Sequence, residues 1–207
     1  MKTKGNVYII AAASGTGKTS LVKVLIESLD DIAISISHTT RPKREDEREQ
    51  ESYFYINEDE FKQMIANNEF LEYAKFLDNY YGTSRSWVEQ QLKNGIDVIL
   101  EIDWQGARQI KQQLPESISI FILPPSKEEL QRRLENRNQD DKNTIVKRLS
   151  VAHKEIANCF DFDYIVINDK FDVALVDLRS IIRSQRLRKE VQIIKYNNLL
   201  AELTKNQ

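Results

Sequence analysis

Apolar positions recur along the chain with two alternating periods, and their order carries the first structural reading. Val7 to Ala11 is a short continuous apolar run with β-branched members; small residues follow, and then Leu21, Val22, Leu25 and Leu29 at helical spacing. This predicts strand, loop and helix. Asp97 to Ile102 reads as a buried strand before a helix from about Trp104, and Ser117 to Leu123 reads as another strand. Ser126 followed by Glu129 resembles a capping box opening the next helix. Tyr164 to Ile167 predicts a further strand, and Phe171 to Leu203 reads as helices with a basic patch around Arg183 to Lys189. Repeated strand and helix segments of this length predict an α/β fold with a parallel sheet flanked by helices on both faces.

Two polar stretches break the alternation. Arg41 to Ser52 is a charged loop, followed by an alternating strand at Tyr53 to Ile56, a helix from about Glu58 to Asn67 and a strand near Phe70 to Phe76. Together they predict a small α+β insertion. Asn136 to Asn143 is an Asn/Asp-rich loop between two helices that carry arginines at its borders, the pattern of a mobile lid. The expected organisation is one domain over residues 1–207, with a core of about 1–34, 85–136 and 145–207, an insertion of about 35–84 and a short lid of about 137–144.

Charge and cysteine content narrow the function classes. The formal net charge is −2, so no global basic field is present to hold a nucleic-acid backbone or an anionic membrane, although a local basic pocket for a small anion remains compatible. No apolar run approaches the roughly 20 residues of a membrane helix. The single cysteine, Cys159, has no internal disulfide partner, which points to a reducing, cytoplasmic setting.

The loop after the first strand carries the clearest chemistry. Ala12, Ala13, Ser14, Gly15, Thr16, Gly17, Lys18 and Thr19 match the phosphate-loop pattern G-x-x-x-x-G-K-S/T, with Ala12 in place of the first glycine. Between a strand and a helix, successive backbone N–H groups face an anion and the helix dipole adds to their pull. Lys18 is then expected at the β- and γ-phosphates of ATP, and Thr19 at Mg²⁺. Asp103, just past a strand, suits either a metal-supporting carboxylate or a helix N-cap.

A phosphate loop alone leaves the acceptor open. The insertion carries Ser35, Ser37, His38, Thr39, Thr40, Arg41 and Arg44, then Glu47 and Tyr53, and later Phe70, Glu72, Asn79, Tyr80, Tyr81, Gly82 and Thr83. Singly, the arginines read as solvated loop charges and the tyrosines as packing residues. In this order, with Glu101, Asp103, Trp104, Gln105 and Gly106 and the lid arginines, they resemble the guanylate kinases over nearly the whole chain. That family's pattern is S-x-S-x-T-T-R-x-x-R-x-G-E, a tyrosine, F-x-E and N-Y-Y-G-S/T. The resemblance implies a P-loop kinase core, a GMP-binding insertion and a helical lid, with ATP as co-substrate, Mg²⁺ as cofactor and GMP, with dGMP beside it, as acceptor.

It also implies a GMP site of Ser37, Arg41, Arg44, Glu47, Tyr53, Glu72, Tyr81, Thr83 and Asp103. Arg41 and Arg44 offer forked donors to a phosphate, and Glu72 with Ser37, Thr83 and Asp103 suits the mixed donors and acceptors of guanine. By the same resemblance Arg137 and Arg148 close on the ATP phosphates as catalytic residues beside Lys18, Arg133 assists, and Asn168 lies near the adenine. Ala12, Asp46, Gln50 and Asn138 depart from the family's glycines, and Glu101 replaces an aspartate. Two alternatives stay open: a catalytically inactive guanylate kinase-like binding module, and a P-loop kinase acting on another monophosphate. The oligomeric state, monomer or homodimer, is left open as well.

Overall fold

The computed structural model describes residues 3–44, 47–48, 53–76, 78–135 and 142–205. In chain order they form β1 (Val7–Ala12), α1 (Lys18–Glu27), β2 (Ile32–Ile34), β3 (His38–Thr39), β4 (Phe54–Tyr55), α2 (Glu58–Ala66), β5 (Phe70–Phe76), β6 (Asn79–Ser84), α3 (Arg85–Lys93) and β7 (Asp97–Glu101). Then come α4 (Trp104–Gln113), β8 (Ile118–Leu123), α5 (Lys127–Glu135), α6 (Lys142–Ile156), β9 (Tyr164–Ile167), α7 (Phe171–Arg186), α8 (Lys189–Lys195) and α9 (Asn197–Leu203).

β1 sits at the centre of a five-stranded sheet ordered β2-β7-β1-β8-β9, in which every pairing is parallel. Because side chains alternate across a strand, the continuous apolar run of β1 feeds two cores. Tyr8 and Ile10 turn to one face, where they pack with Leu21, Val22 and Leu25 of α1 and Leu175, Leu178 and Ile182 of α7. Val7 and Ile9 turn to the other, against Val88 and Leu92 of α3 and Ala107 and Ile110 of α4. The expected α/β fold with a parallel sheet is the one observed.

A second sheet of four strands, ordered β4-β3-β6-β5, is built from the stretch read as an insertion. Its packing is aromatic: the buried Phe61 of α2 stacks on Phe70 at 4.5 Å and on Tyr80 at 5.3 Å. His38 stacks on Phe54 at 4.8 Å, and burial lowers its pKa, so the ring serves as neutral packing. α2 starts where Asn57 accepts the Glu60 N–H at 2.8 Å.

Several elements lie where the apolar pattern shows nothing. β2 and β3 are three and two residues long, and α3 offers few apolar positions. Residues 142 and 143, read as loop, belong to the first turn of α6, while 136–141 lie outside the described residues. Among the described residues no helix is long and apolar enough to cross a membrane.

One polar cluster ties distant parts of the core together. Asp97, buried at the start of β7, accepts the Asn6 backbone N–H at 2.7 Å and the Arg186 Nε at 2.8 Å. The same guanidinium donates to the carbonyls of Asp30 and Asp31. A buried carboxylate needs this pairing, since removing one member of such a pair costs about 3–5 kcal/mol.

Candidate active site

The loop between β1 and α1 has the conformation its sequence requires. Ala12 ends β1, and it is not among the non-glycine residues with positive φ, which among the described residues are Asp31, Asn68 and Asp78. A side chain is therefore tolerated where the pattern has its first glycine. Gly17 is different. It caps α1 in the left-handed region at φ 89°, and a Cβ there would lie 2.6 Å from the Asn168 side-chain nitrogen.

Asn168 and Arg133 stand behind this loop. The buried Asn168 donates its side-chain N–H to the Thr16 carbonyl at 2.7 Å, and Arg133 donates to the Asn168 carbonyl at 2.9 Å and to the Thr16 carbonyl at 3.3 Å. Arg133 is itself anchored on Glu129 at 2.7 Å. Asn168, expected near the adenine, thus has its side-chain nitrogen engaged by the phosphate loop. Arg133, expected to assist at the phosphates, points its donors at backbone carbonyls instead. Neither contact has a sequence signal, because each spans more than 30 residues of chain.

Lys18 and Thr19 meet one carboxylate. The Thr19 hydroxyl donates to Glu101 Oε1 at 2.7 Å, and Lys18 Nζ lies 3.9 Å from the same atom. Burial lowers the Lys18 pKa, and the neighbouring carboxylates of Glu101, Asp103 and Glu155 oppose that fall. Asp103 resolves the two readings it allowed in part: its Oδ1 accepts the N–H groups of Gln105 and Gly106, both at 2.9 Å, so it is the N-cap of α4. It also borders the cleft.

That cleft, about 600 Å³, brings together Lys18, Thr19, Ser37, Tyr53, Glu72, Tyr81 and Asp103. Ile34, Ser35, Ala74, Glu101 and Ile102 complete its wall. Ser35 belongs to the motif, and its hydroxyl is buried with no hydrogen-bond partner among the described residues. Glu72 lies on β5, 5 % exposed, and accepts the Thr83 hydroxyl at 2.6 Å. Burial pushes its carboxyl up to about 7, Asp103 adds to the rise and the Thr83 bond opposes it. α4 reaches it only because residue 106 is glycine: a Cβ at Gly106 would stand 2.9 Å from Glu72 Oε2.

Arg41, Arg44 and Glu47 are not among the residues that line the cleft. The Glu47 carboxylate takes the Arg41 guanidinium at 2.6 Å, the Arg44 backbone N–H at 2.9 Å and the Tyr55 hydroxyl at 2.7 Å. The Arg41 hydrogen bond, helped by the Arg44 N–H, holds its pKa down at about 2. Glu47 therefore shapes the loop that aims Arg41. The Arg41 guanidinium sits 5.5 Å from the centre of the Tyr53 ring, and Tyr53 packs edge-on to Tyr81 at 5.9 Å. The Arg44 side chain is exposed. Thr83 is buried behind Glu72, and Arg148 lies half-buried on α6. Arg137, like Asp46, Gln50 and Asn138, falls outside the described residues.

Among the described residues no group of three or more His, Cys, Asp or Glu side chains gathers to hold a metal. The oxygen ligands that line the cleft beside Lys18 include the Thr19 hydroxyl and the carboxylates of Glu101 and Asp103. This hard, oxygen-only set suits Mg²⁺, which keeps several waters and leans on phosphate oxygens for the rest of its shell.

Comparison with known proteins agrees with this arrangement. The family model described as guanylate kinase matches residues 4–185. A guanylate kinase of Coxiella burnetii is 52 % identical over 204 residues, covering 99 % of both chains. One of Vibrio cholerae is 51 % identical over 202 residues, covering 97 % of this chain and 98 % of the relative. The crystal structure of guanylate kinase from Anaplasma phagocytophilum superposes with a TM-score of 0.74 at 30 % identity, covering 91 % of this chain and 89 % of that one. Family model, full-length relatives and solved structure converge with the cleft: the chain belongs to the guanylate kinase family.

Proposed function

We propose that this protein transfers the γ-phosphate of ATP to GMP, giving ADP and GDP, and accepts dGMP in the same site. The observation that carries the reading is a single cleft in which Lys18 and Thr19 of the phosphate loop share a wall with a buried carboxylate, Glu72. Guanine presents two N–H donors, N1–H and the N2 amine, on one edge, and an ionised carboxylate accepts both. Adenine has no N2 amine and presents an acceptor at N1, so it would leave Glu72 buried and unpaired. Sites built on such hydrogen bonds reject the wrong partner by roughly 10⁴-fold or more.

The acceptor needs no general base. With a second pKa near 6, by analogy with other phosphate monoesters, the GMP phosphate is largely dianionic at neutral pH. The residues then have two tasks, to place two anions in line and to offset their charge. We assign Arg41, backed by Glu47, with Arg44, Tyr53 and Tyr81 to the GMP phosphate, and Ser37, Thr83 and Asp103 to the surroundings of the base. We assign the backbone from Ala12 to Gly17 with Lys18 to the ATP phosphates, and Arg148 with Arg137 to the transferred group. Mg²⁺, held by Thr19 with Glu101 and Asp103 near its waters, would supply charge neutralisation across the β- and γ-phosphates. The single cysteine supports a cytoplasmic location.

The deciding experiment measures ADP formation from Mg-ATP with GMP, dGMP, AMP, CMP, UMP and dTMP. GMP and dGMP are expected to drive turnover, and Lys18→Ala to abolish it. Absence of GMP-dependent ADP formation overturns the reading.

A further inference from the structure

α5 meets the phosphate loop from behind through two kinds of contact. Its buried Leu130 and Leu134 pack against Ala13 of the loop. Arg133, on the same helix, sends its guanidinium to two backbone oxygens: Nη1 donates to the Thr16 carbonyl at 3.3 Å and Nη2 to the Asn168 carbonyl at 2.9 Å, while Nε is held by Glu129 at 2.7 Å. From the loop after β9, the Asn168 side chain adds a second donor to the same Thr16 carbonyl at 2.7 Å. Thr16 is itself buried, and its hydroxyl closes on the Ala13 carbonyl at 3.0 Å.

Two donors on one carbonyl have a consequence for the N–H that follows it. A peptide unit is planar and trans, so its C=O and N–H point in opposite directions. Gripping the Thr16 oxygen therefore fixes the plane of the Thr16–Gly17 peptide and turns the Gly17 N–H away from Arg133 and Asn168. The plane needs such a hold. Flipping a peptide changes ψ of its first residue and φ of its second, and the second here is a glycine, which accepts either sign of φ and sits at 89°. In a phosphate loop the successive N–H groups are what grip the anion, so a flipped peptide would present an oxygen to the phosphates where a donor belongs. Apolar packing of Leu130 and Leu134 on Ala13 is non-directional and does not prevent that flip.

We propose that Arg133 is a positioning residue for ATP: anchored on Glu129, it works with Asn168 to hold the Thr16–Gly17 peptide so that the Gly17 N–H faces the nucleotide's phosphates, and it touches neither the transferred phosphoryl group nor the base. The proposal rests on the assignment of the Ala12 to Gly17 backbone to the ATP phosphates. A loop that grips bound and reacting ATP alike supplies uniform binding, so loosening it raises KM for ATP and leaves kcat in place. An arginine acting on the transferred group does the reverse and is worth roughly 10³ to 10⁵ in kcat. One lying against adenine would matter to nucleotides and not to a phosphate chain that lacks a base.

The test compares the full-length wild type with Arg133→Ala, Glu129→Ala and the Glu129→Ala/Arg133→Ala double variant. It reads kcat and KM for ATP and GMP, Kd for Mg-ADP by calorimetry and inhibition by magnesium tripolyphosphate, which has no base, with thermal melting to check folding. Arg133→Ala is expected to raise KM for ATP, Kd for Mg-ADP and the tripolyphosphate inhibition constant together by about tenfold, the scale of one lost charged hydrogen bond. kcat should stay within about threefold and KM for GMP should not move. Glu129→Ala should shift the same constants the same way by a smaller factor, and should add nothing in the Arg133→Ala background, because its effect travels through the arginine. Unchanged ATP and ADP constants, a kcat loss of about a hundredfold or more, tripolyphosphate inhibition unaltered while Mg-ADP weakens, or a full Glu129→Ala effect without Arg133 would each overturn the proposal. If Arg133→Ala fails to fold, Glu129→Ala alone decides: weaker Mg-ADP and tripolyphosphate binding with normal melting supports it, and unchanged binding refutes it. A wild type that binds Mg-ADP but leaves GMP untouched would strike the acceptor reading alone, and the two binding measurements would still decide the role of Arg133.

Discussion

A carboxyl group that titrates near neutral pH is a demanding reader of guanine. Glu72 is pushed up to about 7 by burial, so before GMP binds it is only partly ionised at pH 7. Guanine's two donors need the carboxylate, and binding GMP should therefore release a proton as the group ionises. Calorimetry in buffers of different ionisation enthalpy is expected to show that release near pH 7, and KM for GMP should rise as pH falls from 8 to 6. Stability runs the opposite way. A folded-state pKa above the unfolded value near 4.5 means that the folded chain binds more protons, so this group's contribution is complete at low pH and is lost as pH rises through about 7. Its full range is about 3 kcal/mol. Glu72→Gln should accordingly be more stable than wild type at pH 8, with little difference at pH 4, while using GMP poorly. Urea unfolding at the two pH values checks this, and a pH-independent difference would refute it. Ordered motifs made Glu72, Ser37, Tyr53 and Tyr81 legible in the sequence. The contact of Asn168 with the Thr16 carbonyl was not, because it joins residues 152 positions apart and no local pattern encodes it.

Among the elements, α4 is placed by two residues at its start. Asp103 caps its first N–H groups, and Gly106, one turn in, gives the clearance that lets the helix lie against Glu72. An alanine at 106 has better helix propensity by about 1 kcal/mol, yet its methyl group would press on Glu72 Oε2 and the Ile102 side chain. Gly106→Ala is expected to raise KM for GMP about tenfold through the shifted carboxylate and to cost about 1–3 kcal/mol from overpacking. KM for ATP should stay put; a parallel rise in both would show that the helix as a whole had moved. β1, β7 and β8 were readable because burial on both faces makes them continuous apolar runs, and the largely exposed edge strand β9 because of its β-branched and aromatic residues. β2 and β3 are too short to show a period, and α3 presents only Val88 and Leu92 as buried positions. Tertiary pairing, with β7 and β6 respectively, makes those short strands.

At the scale of the molecule, the cleft draws its walls from both sheets, from the start of α1 and from the Glu101 to Asp103 segment, which follow the neighbouring strands β1 and β7. In open α/β sheets such strand ends are where ligands bind. α8 and α9 contribute no buried residue and no cleft residue. A chain ending at Arg188 is expected to keep kcat within about twofold, because the removed backbone is exposed; a large loss would assign those helices a part in catalysis. Ending three residues earlier is another matter, because it removes Arg186. During synthesis Asp97 leaves the ribosome 89 residues ahead of the arginine that neutralises it. At on the order of ten residues per second, the nascent sheet waits on the order of ten seconds for its counter-ion. Until then, closing β7 against β1 would bury Asp97 without its arginine, which disfavours closure of the sheet's centre before the last turn of α7 has emerged.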